Sequence, residues 1–582
     1  MNIEHEKPIN YSLSVGSQLL LSFISLCIVA FGQPARSPLL GLFAACFGFA
    51  IFWRVLFCYP ERKKRFLIST MWFTAVQLIQ LSWMLSHPFY YIYGPYVLFA
   101  LLQGMQFGLV GIFIKTQNII QLKKIIGIAS LWVLMEWSRL FFLSGFSWNP
   151  VGISLTGSLV SLQMASILGV YGLSFIVILV NLLLLRCFTK IESKTKIAIS
   201  FLTFIFFATI PYIYGFTHLA LHKPKAMAHE DTFTAVLIQP SFPVDGTDHI
   251  RDRKVLVHYV IQQWKKILEI TKKQLNEKID LVVLPEYVVP FGTYTTVFPL
   301  ENVKQIFTEV FGEEVIDKLP SLNEHLAQSF KNTQKNHTEI DMTFVNNAFW
   351  LQALANIFNA PVIAGLEDVE DISLNKREYY SAALYFVPGS LNCQIPERYE
   401  KRVLVPLGEY IPFSFCQQLA LMYGIEGSFT KGEKAKVFSH PKTPFGVSIC
   451  YEETFGHVMR ENRQLGAEIL VNLTNDGWFP DSKLTKQHFD HARLRSVESG
   501  IPLIRACNTG ITVGFDSLGT IIGILGQFDQ HDESLSDSLI IKMPTYTYQT
   551  IYSRFGDHLI LAFSFLGLIG LIKNPRKNKK RF

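Results

Sequence analysis

The chain is sparing with charge. Asp, Glu, Lys and Arg supply only 17% of 582 residues, against 49% hydrophobic and 14% aromatic. Mean hydropathy is +0.27, which excludes an ordinary soluble globule and points to a membrane part. Eight cysteines are present, but they form no CxxC pair and no Cys/His cluster with zinc spacing, which argues against a structural metal. Cys27, Cys46, Cys58 and Cys187 fall in or beside apolar stretches, so a disulfide framework built on all eight is excluded. Only Cys393, Cys416, Cys450 and Cys507 are left in the polar part. There is no internal repeat and no low-complexity tract. The first apolar stretch lacks a small-residue cleavage site and six more follow it, so it is expected to stay in the mature protein.

What is present is a series of apolar runs near the roughly 20 residues that cross a bilayer. Seven lie at about 12–32, 38–59, 67–86, 90–114, 125–145, 160–187 and 197–216, and an eighth at 557–573. Arg62, Lys63, Lys64 and Arg65 follow the second run; Lys115, Lys123 and Lys124 follow the fourth; Arg186, Lys190, Lys194 and Lys196 follow the sixth. The loops near 86–89 and 146–159 carry no Lys or Arg, and Lys573, Arg576, Lys577, Lys579, Lys580 and Arg581 close the chain. Basic residues mark cytoplasmic loops, so both termini are expected in the cytoplasm and the long polar segment outside it. The +7 net charge is explained by this topogenic role and requires no nucleic-acid partner. Three regions follow: 1–220 with seven transmembrane helices, 221–550 as an extracytoplasmic domain, and 551–582 as a last helix with a basic tail.

From Phe233 to about Leu539, short β-branched runs alternate with amphipathic helical stretches, the pattern of an α/β domain. Strands are expected at 233–239, 281–284, 361–365, 382–387, 445–450, 468–473 and 502–507, and helices at 251–277, 453–465 and 485–499. The 300–360 connection is too long for a plain loop and is expected to carry helices of its own.

Three segments carry chemistry. FGVSICYEETFG places Cys450 at the end of a buried strand before a helical stretch opening with Glu452 and Glu453; the helix dipole there is expected to favour thiolate, the reactive form. IDLVVLPEYVVP places Glu286 just past another apolar strand, within reach of the same strand-end cleft as a general base. RYEKRVLVPLGEYIPF places Lys401 in apolar surroundings, where an ammonium needs a charged partner, and Glu409 is the candidate. Each residue taken alone is ordinarily structural; it is the three together that point to a site.

The order Glu in LPEYVVP, Lys in YEKRVLVPLGEYIP and Cys in ICYEETF resembles the carbon-nitrogen hydrolase (nitrilase) superfamily. KRVLVPLGEYIPF, CYEETF, LVNLTNDGWF and QHFDHARLRSVESGIPLIRACNTGIT, with WVLMEWSRLFFLSGFSWNPVG and GVYGLSFIVILVN in the spans, are similar to the apolipoprotein N-acyltransferase family. The resemblance covers nearly the whole chain. It implies a four-layer α-β-β-α nitrilase sandwich beside the eight-span membrane part, in a bacterial inner membrane with the catalytic domain periplasmic. It implies Glu286 as base, Lys401 as transition-state stabiliser and Cys450 as nucleophile, with Glu409, Tyr451 and Glu452 at supporting positions and the Tyr451 N–H beside the oxyanion. The implied reaction moves an acyl chain from a phospholipid through a cysteine thioester to the α-amine of a diacylglyceryl-modified apolipoprotein, without cofactor or metal. A membrane-tethered amidase or nitrilase, and a non-catalytic scaffold or transporter, are the alternatives; the span motifs argue against the first, and the intact triad against the second. The chain departs from the family at IQPSFPVDGTDHIRDRK, where Ser241 replaces an Asn and a Trp is missing, and in the length of 300–360.

Other residues have two readings. Glu136 and Arg139, at i,i+3 in a span, are functional candidates or a mutual pair at a helix end. Trp478 lines an acyl path or belongs to the domain core, and Tyr287 stands with it as a candidate substrate-binding residue. His488 and His491 lack a third metal ligand and are expected on a polar helix face. Cys507 is expected in the core.

Overall fold

The computed structural model describes residues 12–189, 194–244, 250–333, 339–373, 376–389, 396–413, 418, 428–526 and 535–572. Lys190, Cys393, Cys416 and the basic tail from Lys573 lie outside the described residues. The chain divides into two units, Met1–His222 with Thr550–Phe582, and Lys223–Gln549.

The first unit is helical throughout its described residues. Four helices are long and apolar enough to cross a membrane: Pro38–Leu56, Tyr90–Phe113, Ala165–Cys187 and Thr195–Met227. Val15–Phe31 and His558–Leu571 are apolar but shorter. Among the described residues, four of the eight expected spans are thus helices of full spanning length and apolarity and the other four are not, and the reason lies in where helices begin and end. Helix Arg62–Gln80 takes the cluster Arg62, Lys63, Lys64 and Arg65 into its first turn, where the sequence reading placed a loop, and its apolar part ends at Gln80 before a 3-10 turn at Ser82–Ser86. Helix Leu122–Ser138 has 17 residues, including Lys123, Lys124 and Glu136. Large apolar side chains remain exposed along several helices, among them Leu19, Phe23, Phe201, Leu202, Phe206, Ile213 and Phe216, as expected of helices apolar on every face.

Glu136 and Arg139 are both buried, and each hydrogen bonds elsewhere. Glu136 Oε1 accepts from Trp132 Nε1 at 2.9 Å and from the Val151 N–H at 2.8 Å. Arg139 donates to Gln106 Oε1 at 2.8 Å and Gln103 Oε1 at 3.0 Å. Buried Asn181 accepts from the Ala50 N–H at 3.0 Å and donates to the Ala45 carbonyl at 2.7 Å. It thereby serves backbone groups around the π-helical turn Ala44–Gly48, where the regular ladder is broken.

The described residues of the second unit hold fifteen strands: β1 Thr232–Gln239, β2 Leu281–Val283, β3 Phe298–Pro299, β4 Ala327–Thr333, β5 Glu339–Val345, β6 Val362–Ser373, β7 Lys376–Phe386, β8 Glu397–Glu400, β9 Val437–Phe438, β10 Phe445–Ile449, β11 Ile469–Thr474, β12 Leu503–Cys507, β13 Val513–Phe515, β14 Ile521–Ile524 and β15 Asp537–Pro544. One six-stranded sheet runs β15-β1-β2-β6-β7-β8 and another β14-β13-β12-β11-β10-β9. At the centre of each, β1-β2-β6 and β10-β11-β12 are parallel. All seven strands and the three helices expected from the sequence are present; β6 and β7 extend well past their expected ends, to Ser373 and from Lys376, and the other boundaries shift by a few residues.

Period-two alternation assigns the faces. Ala235 and Leu237 of β1, with Val283 of β2, meet Val447 and Ile449 of β10 and Val471 and Leu473 of β11 in a core between the sheets. The intervening residues Val236 and Ile238 pack outward against Trp264 and Leu268 of helix Arg253–Lys272, Phe307 of helix Leu300–Phe311 and Trp350 of helix Asn347–Phe358. On the far side, Leu470 and Leu503 pack against Met459 of helix Gly456–Gln464 and Phe489 of helix Leu484–Ser499. The result is helix, sheet, sheet, helix. The 300–360 connection has its two helices and also a hairpin, β4-β5, whose second strand pairs with β3; polar residues alternating along it conceal the strands from a search for apolar runs.

One close approach fixes the first sheet around Glu286. A Cβ on Gly365 of β6 would lie 2.6 Å from Glu286 Cα and 2.8 Å from the Pro285 carbonyl oxygen, so backbone rests on backbone there. Gly365→Ala is expected to destabilise the unit by roughly 1–3 kcal/mol, read as a lower urea midpoint with unchanged slope.

Candidate active site

Strand β10 ends at Ile449, and Cys450 takes φ +51°, a left-handed conformation that a non-glycine residue adopts only when its surroundings enforce it. The enforcement is visible. The Cys450 carbonyl accepts from Asn472 Nδ2 and from His488 Nε2, each at 3.3 Å. Glu286 leaves the end of β2, a parallel strand of the facing sheet, and Lys401 follows β8 directly. These strand ends bring together three residues that are more than a hundred positions apart in the case of Glu286 and Lys401.

Lys401 Nζ donates to Glu286 Oε1 at 2.8 Å and to Glu409 Oε1 at 2.7 Å, with its side chain 1% exposed. The second oxygen of Glu409 accepts from the Val405 N–H at 2.8 Å, which holds the carboxylate in place. Burial disfavours the Lys401 charge, yet Glu286 and Glu409 outweigh it and hold its pKa well above the ordinary value. For Glu286, burial dominates and raises the pKa against the pull of Lys401, with the charge of Glu409 adding to the rise. A carboxylate that takes a proton more readily than in water is suited to general-base work.

The thiol departs from the sequence reading. Burial, then the neighbouring Glu286 charge, raise the Cys450 pKa well above the usual value, against the lowering by Lys401. A five-residue 3-10 turn, Cys450–Thr454, follows the sulfur, and the expected helix begins only at Gly456, beyond the first turn over which a helix dipole acts. Cys450 therefore rests as a thiol and needs a base to become a nucleophile.

Glu452 is fully buried and spans two strand ends. Its Oε1 accepts from the N–H groups of Arg402 at 2.5 Å and Val403 at 3.0 Å, and its Oε2 from the Ile449 N–H at 2.7 Å and the Tyr399 hydroxyl at 2.8 Å. It ties the Lys401 segment to the Cys450 strand. Tyr451 is buried edge-on against Phe455, centroids 4.9 Å apart. Tyr287 has φ +45° and its ring lies 5.8 Å from that of Phe429. Trp478, in the turn Asp476–Trp478, is 41% exposed and so is no core residue. The departing Ser241 also has positive φ, +55°, and its N–H donates to the Asn508 carbonyl at 3.0 Å.

A second ionic cluster, missed from the sequence, lies behind Cys450. His488 Nδ1 is 2.8 Å from Asp476 Oδ1 and its Nε2 is 3.0 Å from Glu453 Oε1. Arg505 closes the ring, 2.9 Å from Glu453 and 3.0 Å from Asp476. All four are buried. The expected polar helix face for His488 and His491 is thus corrected: both are buried, because helix Leu484–Ser499 is covered on nearly every side. An arginine within the apolar strand LIRAC was the available signal, since a buried guanidinium requires carboxylates. Cys507 lies in the core, its thiol pushed up to about 12 by burial.

The sequence profile for the apolipoprotein N-acyltransferase N-terminal domain matches residues 21–183, and that for carbon-nitrogen hydrolase matches 253–536. Apolipoprotein N-acyltransferase of Chlamydia pneumoniae is 31% identical over 94% of this chain and 96% of its own. The chain belongs to the apolipoprotein N-acyltransferase family. The namesake from Chlamydia caviae is 30% identical over 94% of this chain and 96% of its own, and that from Haemophilus ducreyi 26% over 97% and 99%. Within this family member the Glu286, Lys401 and Cys450 cradle falls inside the carbon-nitrogen hydrolase match.

The rear cluster gives a pH signature. Burial opposes the His488 charge, but Glu453 and Asp476 raise its pKa from 6.5 to about 9. The folded-state value is raised, so the stabilisation is complete below pH 6.5 and is lost as pH rises through about 9, on the order of 3 kcal/mol in all. The stability difference between wild type and His488→Gln, from urea unfolding, should therefore narrow on going from neutral pH to above about 9.

Proposed function

We propose that the chain transfers a fatty acyl group from a membrane phospholipid to the α-amine of the diacylglyceryl-modified N-terminal cysteine of an apolipoprotein, through a thioester on Cys450. The observation that carries this reading is the buried Lys401 ammonium clamped at 2.8 Å and 2.7 Å between Glu286 and Glu409, in a member of a family so named.

In the first half-reaction Glu286 takes the Cys450 thiol proton as Sγ attacks the ester carbonyl. The oxyanion forms against the Lys401 ammonium and the Tyr451 N–H. Collapse breaks the ester C–O bond, and the departing glycerol oxygen takes the proton from Glu286, leaving lysophospholipid and thioester. In the second, the acceptor amine attacks the thioester carbonyl and gives its proton to Glu286. The C–S bond breaks, the sulfur recovers that proton, and the amide is released. The raised pKa of Glu286 suits both directions of proton transfer. Glu409 keeps the lysine in place, Glu452 keeps the lysine and cysteine segments in register, and Tyr287 and Trp478 are the substrate-contact candidates.

The eight helices are proposed to span a bacterial inner membrane, with 1–220 and 551–582 as the membrane part, 221–550 in the periplasm and both termini in the cytoplasm. The alternation of basic loops supports this. A membrane-impermeant thiol reagent should label single cysteines introduced within 221–550 and spare those at 60–66 or 574–582; the reverse pattern would invert the assignment.

For the chemistry, enzyme given phospholipid without an amine acceptor should gain the mass of one acyl group and release lysophospholipid. The adduct should be labile to hydroxylamine, discharged by a diacylglyceryl-cysteine peptide with a free α-amine, and absent in Cys450→Ala. Cys450→Ser should retain little transfer, because a hydroxyl ionises far less readily than a thiol. Hydrolysis to free fatty acid with no amide formed would instead make the chain a tethered hydrolase.

A further inference from the structure

The peptide unit joining Cys450 to Tyr451 carries the Cys450 carbonyl on one side and the Tyr451 N–H on the other, antiparallel within one plane. Whatever holds the carbonyl therefore aims the N–H. Two side chains hold it, each at 3.3 Å: Asn472 of β11, which also donates to Ser448 Oγ at 3.0 Å, and His488 of helix Leu484–Ser499. His488 is itself held through Nδ1 by Asp476 at 2.8 Å, its single Nε2–H is shared between the Cys450 carbonyl and Glu453 Oε1 at 3.0 Å, and Arg505 holds both of those carboxylates. The arrangement ends at the backbone of the nucleophile.

We propose that His488 is a positioning residue for the acyl transfer: gripping the Cys450 carbonyl, it sets the left-handed turn at Cys450 and aims and polarises the Tyr451 N–H that receives the oxyanion. This rests on the acyl-transfer reading above. Glu453, Asp476 and Arg505 face His488, as does His491, whose own pKa burial holds well below the ordinary value. Among them the carboxylates prevail, and the imidazole carries its proton at neutral pH. A charged donor makes a stronger hydrogen bond than a neutral one, and polarising a peptide through its oxygen strengthens its N–H as a donor.

The test compares two reactions of one sulfur in the full-length chain in detergent micelles. Thioester formation from phospholipid builds an oxyanion; alkylation by iodoacetamide displaces iodide and builds none. His488→Gln is expected to slow single-turnover thioester formation at saturating lipid by roughly 10- to 100-fold, with the half-saturating lipid concentration unchanged and alkylation close to the wild-type rate. Asn472→Ala, which removes the other donor to the same carbonyl, should show the same split to a smaller degree and carries the test if His488→Gln does not fold. Equal loss of both reactions, or no loss of either, overturns the proposal. Wild-type enzyme that forms no thioester at all defeats the acyl-transfer reading itself, and is seen before any variant is made.

Discussion

A buried ammonium is the constraint on which the site depends. Lys401 is out of water, and isolated it would lose its charge or unfold its surroundings. Two carboxylates prevent that, and each is supplied by a different part of the chain: Glu286 from the end of β2 and Glu409 from the turn after Lys401, itself fixed by the Val405 N–H. Breaking one member leaves buried charge without compensation, so the three behave as a unit and not as three independent contributions. The sandwich serves this unit. Its strand ends supply Glu286, Lys401 and Cys450, and Glu452, with four donors on its two oxygens, keeps the lysine segment from sliding against the cysteine strand.

Two ionic groups adjoin Cys450, and their balance differs. The rear group sets Glu453 and Asp476 against His488 and Arg505, two formal charges of each sign with the imidazole protonated. It is neutral, rigid and suited to holding geometry. The front group sets Glu286 and Glu409 against Lys401 alone, which leaves one negative charge in excess beside the sulfur. Burial is the larger cause that keeps the thiol protonated and raises the Glu286 pKa, and the carboxylate charge beside each adds to it. The division separates two tasks, orientation of the nucleophile and proton transfer to and from it, that compete when one set of charges must do both.

Much of this was legible in the sequence. Strands such as FTAVLIQ and EILVNL are apolar on both faces because the sandwich covers both, and that is what a run of branched residues reports. Glu286 and Cys450 stood out because each follows or ends such a run, Lys401 because its charge lies in apolar surroundings, and all three because they match family motifs; the structure brings Glu286 and Lys401 into contact. The hairpin β4-β5 was not found, since its exposed polar residues imitate a loop. The rear cluster escaped because His488 was weighed only beside His491 and Arg505 was not singled out, while their meaning lies in partners 12 and 52 positions distant, Asp476 and Glu453. The thiolate expectation failed on magnitudes: a dipole effect of about 0.3–1 kcal/mol that falls off within one turn cannot offset burial beside a carboxylate.

The membrane unit shows why counting spans by composition and counting helices differ. The basic residues that interrupt the apolar runs are not merely loop charges. Arg65, 2% exposed, donates to the Tyr59 and Pro60 carbonyls at 2.8 Å each and to the Ile112 carbonyl at 3.0 Å; Lys124 donates to the Leu571 carbonyl. Ile112 and Leu571 lie in the last turns of their helices, where carbonyls lack intrahelical partners and the dipole favours cations. A cation at the start of one helix thus satisfies the end of its neighbour, which requires helices Arg62–Gln80 and Leu122–Ser138 to begin where Tyr93–Phe113 and His558–Ile572 finish. Such a level of shared termini is what chains alternating across a membrane produce. These basic side chains therefore cap the helix ends they come to lie beside, and placing them inside a helix lowers its apolar length without removing the helix from the bundle.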